Sequence, residues 1–413
     1  MLFLEKKKLK ILYIHHGIGI GGAPLSLLYL IQKMDRSKYY PMVLCIYDSE
    51  VVDIFRKEGI ETYVAKNMTC FSHTTGASFS FINPYSYIEA FNYIPSVIKT
   101  YKWLKKLNAD IVHLNSSCLT PQIIGAKLAG AKVVWHIREY IINGNFGLRK
   151  YFHTLIGKNF VDKIISISQT DAEQLNCLDK TKVIYNFVDF EKFNYKIDDN
   201  ILRSTYNLDK SDKIILFLGG ISKIKGTLEY IRAAKEIIKE KDNYYYFVLG
   251  GKINKKEKPE DIKSLIKNII KKVLGMENYL DAVKKEINGF EDRIIFEGIR
   301  NDIPKYISGS NLLVFPSTVP HFARPIIEAS AMKIPVIGSK FGEIEEAIVN
   351  DKTGILVPPS DVNALKNAIL KICENPTLAK EMGEEGYKLA KERFDADKNT
   401  KETFKVYDEL FNK

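Results

Sequence analysis

Short apolar runs alternate with helix-length segments along the whole chain of 413 residues. Because parallel strands need long, usually helical crossovers, this alternation predicts parallel sheets flanked by helices. The first series of runs comprises Leu9–Ile14, Met42–Tyr47, Ile111–Leu114, Val133–His136, Lys163–Ile167 and Lys182–Tyr185. A second series comprises Lys213–Leu218, Tyr244–Leu249, Ile294–Phe296, Leu312–Phe315, Pro335–Ile337 and Gly354–Val357.

A polar stretch of low periodicity, from Asp189 to Ser211, separates the two series. We therefore predict an α/β fold with two Rossmann-like, doubly wound domains, residues 1–195 and 196–395, facing across a cleft. The closing segment is helical by pattern, and we expect residues 396–413 to return to the first domain. In sheets of this kind ligands bind beyond the carboxyl ends of the strands, so the search for a site begins there.

Composition and charge limit the class of protein. Hydrophobic residues make up 46% of the chain and charged residues 27%, which is ordinary for a globular protein. Five scattered cysteines without a CxxC pair argue against a disulfide framework or zinc site. No segment resembles a signal peptide or a bilayer span, so we expect a cytoplasmic protein, either free or peripheral on the inner face of the membrane.

The net charge of +11 favours anionic partners, either acidic lipid or a phosphorylated ligand, although a merely solvated lysine-rich surface is the alternative. Nucleic acid is not expected, since RNA-binding signatures and arginine-dense tracts are missing. The segment from Lys252 to Lys285 carries ten lysines against five acids at amphipathic spacing, which predicts a solvated helix or contact with an anionic membrane. The aromatic-rich segment from Phe79 to Trp103 is typical of core packing, or of an acceptor or membrane contact.

The loop after the first strand satisfies GxGxxG at Gly17, Gly19 and Gly22. A dinucleotide fingerprint also needs an acid about 20 residues further on, and Asp48 and Glu50 come somewhat late. Any glycine loop entering a helix allows close approach of a phosphate or sugar. An NAD-dependent oxidoreductase or epimerase therefore stays open as an alternative function.

Polar side chains follow several of the predicted strands. His136, Arg138 and Glu139 end the fourth strand, where either a structural or a ligand role is possible. Asn186, at the domain junction, is a turn former first and a ligand group second.

In the second domain, Gly219 opens a loop that contains Lys223 and Lys225 and leads into a helix. A lysine beside a helix N-terminus is well suited to a diphosphate. A later loop, from His321 to Ala323, enters a helix that opens on Pro325 and carries Glu328 one turn in. This carboxylate is placed to accept hydrogen bonds from sugar hydroxyls.

Together these segments resemble the family 4 glycosyltransferases, which have the two-domain GT-B architecture. The matching segments are Gly21-Gly22-Ala23-Pro24, Ala109-Asp110-Ile111-Val112-His113, His136-Ile137-Arg138-Glu139, Val183-Ile184-Tyr185-Asn186, Gly219 with Lys225-Gly226, Phe315-Pro316-Ser317, and Arg324-Pro325-Ile326-Ile327-Glu328-Ala329.

The resemblance implies retaining transfer of a sugar from a nucleotide-sugar, most often UDP- or GDP-linked, without a cofactor or metal. It implies a glycan or lipid-linked acceptor in polysaccharide or cell-envelope glycan synthesis. In this interpretation Glu328 binds the donor ribose, Lys225 binds the diphosphate, and His136 lies near the reacting centre. The glycines Gly21 and Gly22 approach the sugar. The backbone amides of the loop Phe322, Ala323, Arg324, Pro325 and Ile326 face phosphate and sugar.

This chain departs from the family pattern at two positions. Pro320 stands where a first glutamate is usual, so that His321 or Arg324 is expected to contact the donor sugar instead. Gly220 stands where an arginine is usual, and we expect Lys223 or Arg324 to supply the charge. These departures also leave open a non-catalytic protein that binds nucleotide-sugars.

Overall fold

The computed structural model describes residues 8–17, 21–71, 73–74, 77–78, 84–197, 201–241, 245–250 and 279–411. They form two compact units, of which unit 1 comprises residues 1–187 with 396–413 and unit 2 comprises residues 188–395. Each unit contains one parallel sheet with helices packed against it, which confirms the predicted α/β class with two Rossmann-like units.

Unit 1 is built on a seven-stranded parallel sheet with the order β3-β2-β1-β6-β7-β8-β9. Its strands are β1 (Leu9–His15), β2 (Tyr39–Cys45), β3 (Glu61–Val64), β6 (Ile111–Leu114), β7 (Lys132–Ile137), β8 (Lys163–Ser166) and β9 (Thr181–Val183). A separate antiparallel pair is formed by β4 (His73–Thr74) and β5 (Ala77–Ser78). The helices are α1 (Gly22–Gln32), α2 (Glu50–Lys57), α3 (Pro84–Leu107), α4 (Thr120–Leu128), α5 (Leu148–Phe160) and α6 (Gln169–Gln174).

Unit 2 is built on a six-stranded parallel sheet with the order β12-β11-β10-β13-β14-β15. Its strands are β10 (Lys213–Phe217), β11 (Tyr245–Gly250), β12 (Ile294–Gly298), β13 (Leu312–Phe315), β14 (Val336–Ser339) and β15 (Ile355–Val357). Its described helices are α7 (Ile201–Tyr206), α8 (Thr227–Glu240), α9 (Tyr279–Ile287), α10 (Ile303–Ser308), α11 (Arg324–Ala331), α12 (Gly342–Glu345), α13 (Val362–Cys373) and α14 (Pro376–Arg393).

The last helix, α15 (Ala396–Phe411), packs on the sheet of unit 1. Its Val406 and Tyr407 are buried in the same apolar cluster as the β1 and β2 side chains. Lys182 of β9 pairs with Glu402 at 2.7 Å, and the Tyr39 hydroxyl donates to Asp408. The C-terminal helix thereby contributes a buried tyrosine to the interior of unit 1.

Strand β3 was missing from the predicted series. Its sequence, Glu-Thr-Tyr-Val, is half polar because β3 is the edge strand of the sheet, where only one neighbour covers it. The predicted strands over Ile111–Leu114 and Leu312–Phe315 are observed with the same bounds. Fully buried central strands are continuous apolar runs, which explains why their limits are readable from sequence.

Several predicted features lie wholly or partly outside the described residues. They are Gly19 of the first glycine loop, Phe79 and Phe81 of the aromatic segment, and residues 252–278 of the lysine-rich segment. None of the helices in the described ranges combines the length and apolar character that crossing a bilayer requires.

Candidate functional site

In unit 2, the turn that carries Lys225 is held against the segment following β13. A short 3-10 turn, Lys223–Lys225, lies between β10 and α8 and ends at Gly226. Gly226 has φ of 79°, and a Cβ there would lie 1.8 Å from the carbonyl oxygen of Pro316. Only glycine fits this position, because a side chain would both strain the backbone and collide with Pro316.

Two hydrogen bonds from Thr318 fasten the same turn. Its amide donates to the Ile224 carbonyl at 3.0 Å, and its hydroxyl donates to the Lys223 carbonyl at 2.9 Å. Lys225 is half-buried, whereas Lys223 is exposed. Burial lowers the pKa of Lys225, because removing water disfavours the ammonium form. A partly buried cation beside the N-terminus of a helix is a suitable partner for an anion.

Helix α11 follows the loop that Thr318 anchors. Arg324 and Glu328 lie one turn apart on it, with Nε 3.3 Å from the carboxylate, and their side chains are 21% and 12% exposed. The Glu328 carboxylate therefore already has a cationic neighbour. Thr318 and Gly226 bring the Lys225 turn and the loop before Glu328 to the same edge of the sheet.

The backbone of the loop before α11 restricts one predicted role. Pro325 has no amide hydrogen, and the Ile326 amide donates to the Ala323 carbonyl at 3.1 Å. The Ile326 side chain is fully buried in the core. The prediction that Pro325 and Ile326 offer amides to a donor phosphate is therefore wrong. For Phe322, Ala323 and Arg324 it stays a prediction.

Aromatic packing positions the first residues of the loop. His321 stacks on Phe315 with ring centroids 6.0 Å apart, and Phe322 is buried against Phe394. At the β10 end, Gly219 lies against the Phe217 ring, which a Cβ would approach to 2.1 Å. Its neighbour Gly220 has φ of 67°, a backbone conformation that an arginine would adopt only with strain.

Sequence analysis assigned no site role to three polar side chains at this edge of unit 2, although one of them, Ser317, lies in a matching segment. Ser317 follows β13, Ser339 ends β14 and Glu343 lies in α12, and all three are almost fully buried. Within the described chain their side-chain oxygens have no hydrogen-bond partner, and burial raises the pKa of Glu343. Buried polar atoms are normally satisfied, so water or a ligand is expected there. In the sequence, the one feature that could have indicated Glu343 is its place directly after Gly342, in the loop–helix segment that follows an apolar strand.

In unit 1, His136 belongs to a buried polar network at the carboxyl ends of β1, β6 and β7. Arg138 donates to the Asn115 side-chain oxygen at 2.7 Å and to that of Asn186 at 2.9 Å. Asn115 in turn donates to the Ala23 carbonyl at 3.2 Å, and its amide nitrogen lies 3.3 Å from His15 Nδ1. The structure therefore brings His136, Arg138 and Asn186 together.

A second line of contacts continues from His136 into the interior. His136 Nδ1 lies 3.0 Å from His113 Nε2, and His113 Nδ1 lies 2.7 Å from the Tyr407 hydroxyl. Burial, followed by the nearby Arg138 charge, lowers the pKa of His113 and of His136 well below the usual value. Both imidazoles are therefore neutral at pH 7.

One ring nitrogen each of His15 and His136, Nε2 in both cases, is buried without a partner among the described residues. For His15, burial and then the charges of His16 and Arg138 lower the pKa well below its usual value. Sequence analysis missed His15, Asn115 and Tyr407, and it gave His113 no site role although this residue ends one of the matching segments. Strand-end position was a signal for His15 and Asn115, but no local pattern marks Tyr407, which arrives from the far end of the chain.

The remaining predicted residues of unit 1 are Glu139, which has structural partners, and Gly21 and Gly22 at the start of α1. Glu139 accepts hydrogen bonds from the Ser116 hydroxyl at 2.9 Å and from the Ser117 amide at 3.0 Å. It thereby fixes the turn after β6. Gly21 is the N-cap of α1 and Gly22 its first residue, and a Cβ at Gly21 would meet nothing within 4 Å. Steric crowding within the described chain therefore does not require glycine at position 21.

Comparison with known proteins adds the family. A family profile described as "Glycosyltransferase Family 4" matches residues 20–192, and one described as "Glycosyl transferases group 1" matches residues 198–389. The two matches fall one on each predicted half and together span most of the chain. The chain belongs to the family 4 glycosyltransferases. The alternative of an NAD-dependent oxidoreductase is not favoured.

Curated relatives of this glycosyltransferase are similarly sized. An N-acetyl-alpha-D-glucosaminyl L-malate synthase from Bacillus anthracis is 23% identical over 73% of this chain and 74% of the relative. A UDP-Gal:alpha-D-GlcNAc-diphosphoundecaprenol alpha-1,3-galactosyltransferase from Escherichia coli is 26% identical over 68% of this chain and 71% of the relative.

Solved structures support the GT-B fold. Anabaena HepE in complex with UDP matches with a TM-score of 0.76 at 20% identity, covering 97% of this glycosyltransferase and 100% of that chain. A glycosyltransferase from Rickettsia africae matches with a TM-score of 0.72 at 22% identity, covering 99% of this chain and 100% of that one. Among the described residues, no group of three histidine, cysteine, aspartate or glutamate side chains could hold a metal ion.

Proposed function

We propose that this glycosyltransferase moves a sugar, with retention and without a metal ion or cofactor, from a UDP- or GDP-linked donor. The acceptor is a glycan or lipid-linked saccharide of polysaccharide or cell-envelope glycan synthesis. The observation that carries the proposal is the edge of unit 2, where Thr318 and Gly226 fasten the Lys225 turn to the loop before Glu328.

This edge has the groups that a nucleoside diphosphate leaving group needs. As the bond from sugar to phosphate breaks, negative charge grows on the diphosphate, and the half-buried ammonium of Lys225 stabilises it without solvent reorganisation. Glu328 is the acceptor for the ribose hydroxyls, and its carboxylate keeps its position through Arg324. In this proposal Lys225 supplies the positive charge that a metal ion supplies in other transferases.

Retention is the outcome that the family resemblance implies, and the contacts of Glu139 bear only on whether it passes through a covalent intermediate. A covalent intermediate would need a carboxylate nucleophile, but the oxygens of Glu139 accept from Ser116 and Ser117. His136 is neutral and offers hydrogen bonding to a sugar hydroxyl. We infer that the acceptor hydroxyl attacks on the face from which the diphosphate leaves, without an enzyme-bound sugar.

The relatives support the donor class. Similar proteins include a transferase that uses UDP-Gal, and HepE, whose structures contain UDP or UDP-glucose. By analogy a uridine nucleotide is the first donor to test, followed by a guanosine nucleotide. The E. coli relative acts on a diphosphoundecaprenol-linked sugar, which makes a lipid-linked acceptor the first class to test.

A thermal-shift screen of the full chain against UDP, GDP, ADP and NAD tests the proposal. A ligand at about 100 times its dissociation constant adds roughly 2.7 kcal/mol to the free energy of unfolding. We expect stabilisation by UDP or GDP that Glu328→Gln reduces, followed by turnover of the matching nucleotide-sugar. Stabilisation by NAD alone would overturn the proposal, and binding without transfer or hydrolysis on any acceptor would leave a non-catalytic protein.

A further inference from the structure

Helix α3 of unit 1 exposes an almost entirely apolar face. Its inner face is buried and consists of the small polar and aliphatic side chains of Ser96, Val97, Thr100 and Leu104. The outer face carries large side chains of which Phe91 is 81% and Ile94 63% exposed. Among the α3 side chains that the structure describes, from residue 87 onward, the exposed large apolar or aromatic ones are Tyr87, Ile88, Phe91, Ile94, Ile98 and Tyr101. At a rise of 1.5 Å per residue these side chains extend over about 20 Å along the helix. They therefore form a contiguous apolar patch, unlike the single apolar residues that are normal on protein surfaces.

A second exposed apolar row lies on the neighbouring helix α5. It consists of Leu148, Tyr151 and Leu155, which recur at the spacing of one helix face. The two helices are joined by an aromatic cluster, in which Tyr93 of α3 and Phe152 of α5 have ring centroids 6.1 Å apart. Phe71 contacts both rings. We call the exposed face of α3 with this row of α5 the α3–α5 face.

The charges on these two helices have almost one sign. Glu89 is their single acid, and it lies on α3. On α3, Lys102, Lys105 and Lys106 are exposed and continue the apolar face toward the helix C-terminus. The basic residues of the two helices are Lys99, Lys102, Lys105, Lys106, Arg149, Lys150 and Lys158.

We propose that the α3–α5 face docks on an anionic lipid surface. Large apolar and aromatic side chains bordered by lysines are the composition that inserts into the acyl boundary while the ammonium groups meet lipid phosphates. A second copy of this chain is a poorer occupant, since it would bring two clusters of lysines together. The inference is independent of the proposed donor site, because it concerns binding to lipid rather than turnover.

Flotation of the full chain with vesicles tests this inference. We expect binding to vesicles containing phosphatidylglycerol and weak binding to pure phosphatidylcholine. Replacing Phe91, Ile94 and Ile98 by serine should lower the partition coefficient at least about tenfold, because these exposed side chains lose apolar area in the lipid. Replacing Lys102, Lys105 and Lys106 by glutamine should lower it on the order of 100-fold at low salt.

Matched controls replace the same residue types elsewhere on the surface. Leu178→Ser with Ile299→Ser removes exposed apolar side chains, and Lys57, Lys380 and Lys401 to glutamine removes the same charge. These controls should bind lipid as the wild type does. Equal loss in the controls would show general charge attraction and overturn the proposal.

Two further results would also overturn it. Loss of binding on replacing Lys263, Lys267 and Lys271, with no effect of the α3 variants, would assign lipid contact to the other lysine-rich segment. A dimer in sedimentation that the serine variants dissociate, without vesicle binding by the wild type, would assign the face to a second copy. An unchanged urea unfolding transition shows that each variant keeps its fold, so the test does not depend on nucleotide binding.

Discussion

The polar edges of the two units differ in how their groups are satisfied. In unit 2 the edge holds charged or ionisable side chains, Lys225, Glu328 and Glu343, and several buried oxygens lack partners in the described chain. In unit 1 the groups are mostly bonded to one another. There the contacts run from Tyr407 through His113 and His136, and the imidazoles are neutral.

From this difference we propose that the two edges have different roles in the reaction. A site with a desolvated cation and unpaired acceptors gains most from a charged ligand that supplies the missing partners. A site whose members already bond to one another is preorganised and contributes orientation. We therefore expect variants in unit 2 to weaken donor binding, and variants in unit 1 to lower turnover with donor binding retained.

The largest expected effect is at Lys225. Replacing it with methionine keeps the aliphatic length in the half-buried position and removes the charge. Since the diphosphate charge develops during transfer, kcat/KM should fall by about 10²- to 10³-fold. Steady-state kinetics with the identified donor measure this, and Lys223→Met is the exposed control, expected to change kcat/KM less than about tenfold. Equal losses of kcat/KM in Lys225→Met and Lys223→Met would contradict a specific role for Lys225.

The next effect is at Glu328. Glutamine keeps the shape but loses the charge, so hydrogen bonds from the ribose weaken and nucleoside diphosphate affinity should fall about 10- to 100-fold by calorimetry. Arg324→Gln and the double variant complete a cycle. If Arg324 acts only by holding Glu328, the double variant should bind no more weakly than Glu328→Gln. Additive losses would instead give Arg324 its own contact with the donor.

A smaller effect is expected at His136. Glutamine can still contact His113, but the ring nitrogen Nε2 is lost, so kcat should fall by about tenfold, the value of one hydrogen bond to a reacting sugar. The dissociation constant of the nucleoside diphosphate should not change. If His136→Gln weakened nucleotide binding but kept kcat, this would contradict the proposal that unit 1 residues act in turnover rather than in donor binding.

The smallest effect concerns pH. His136 has a folded-state pKa well below 6.5, so the unfolded chain binds more protons once the pH falls below 6.5. Its contribution to stability is complete above that pH and is lost progressively toward the folded-state pKa. His136→Gln should therefore reduce the pH slope of the unfolding free energy below pH 6.5 by at most about 1.4 kcal/mol per unit. Urea titrations at pH 7, 6 and 5 measure it, and an unchanged slope would contradict a neutral buried imidazole.

Most residues of the candidate site in unit 2 could be proposed from the sequence because its parts are local. The glycine and lysines after β10 and the proline and glutamate of α11 each form a short motif on one strand–loop–helix unit. Pairing β10 with β13 then brings them to one edge. The sequence could not show that the Ile326 amide donates to the Ala323 carbonyl, or that the buried Glu343 carboxylate has no partner among the described residues. Both depend on the packing of individual atoms.

The amino-acid sequence by itself determined the class of fold, the two series of strands and the family, because buried parallel strands and glycine-bearing loops leave patterns within a few residues. Only the tertiary structure decided that Tyr407 stands behind His113 and His136, and that α3 presents an apolar face to the outside. Contacts between residues 294 positions apart leave no periodic signal. Which side of an amphipathic or wholly apolar helix is covered depends on its neighbours in space, and those are set by packing.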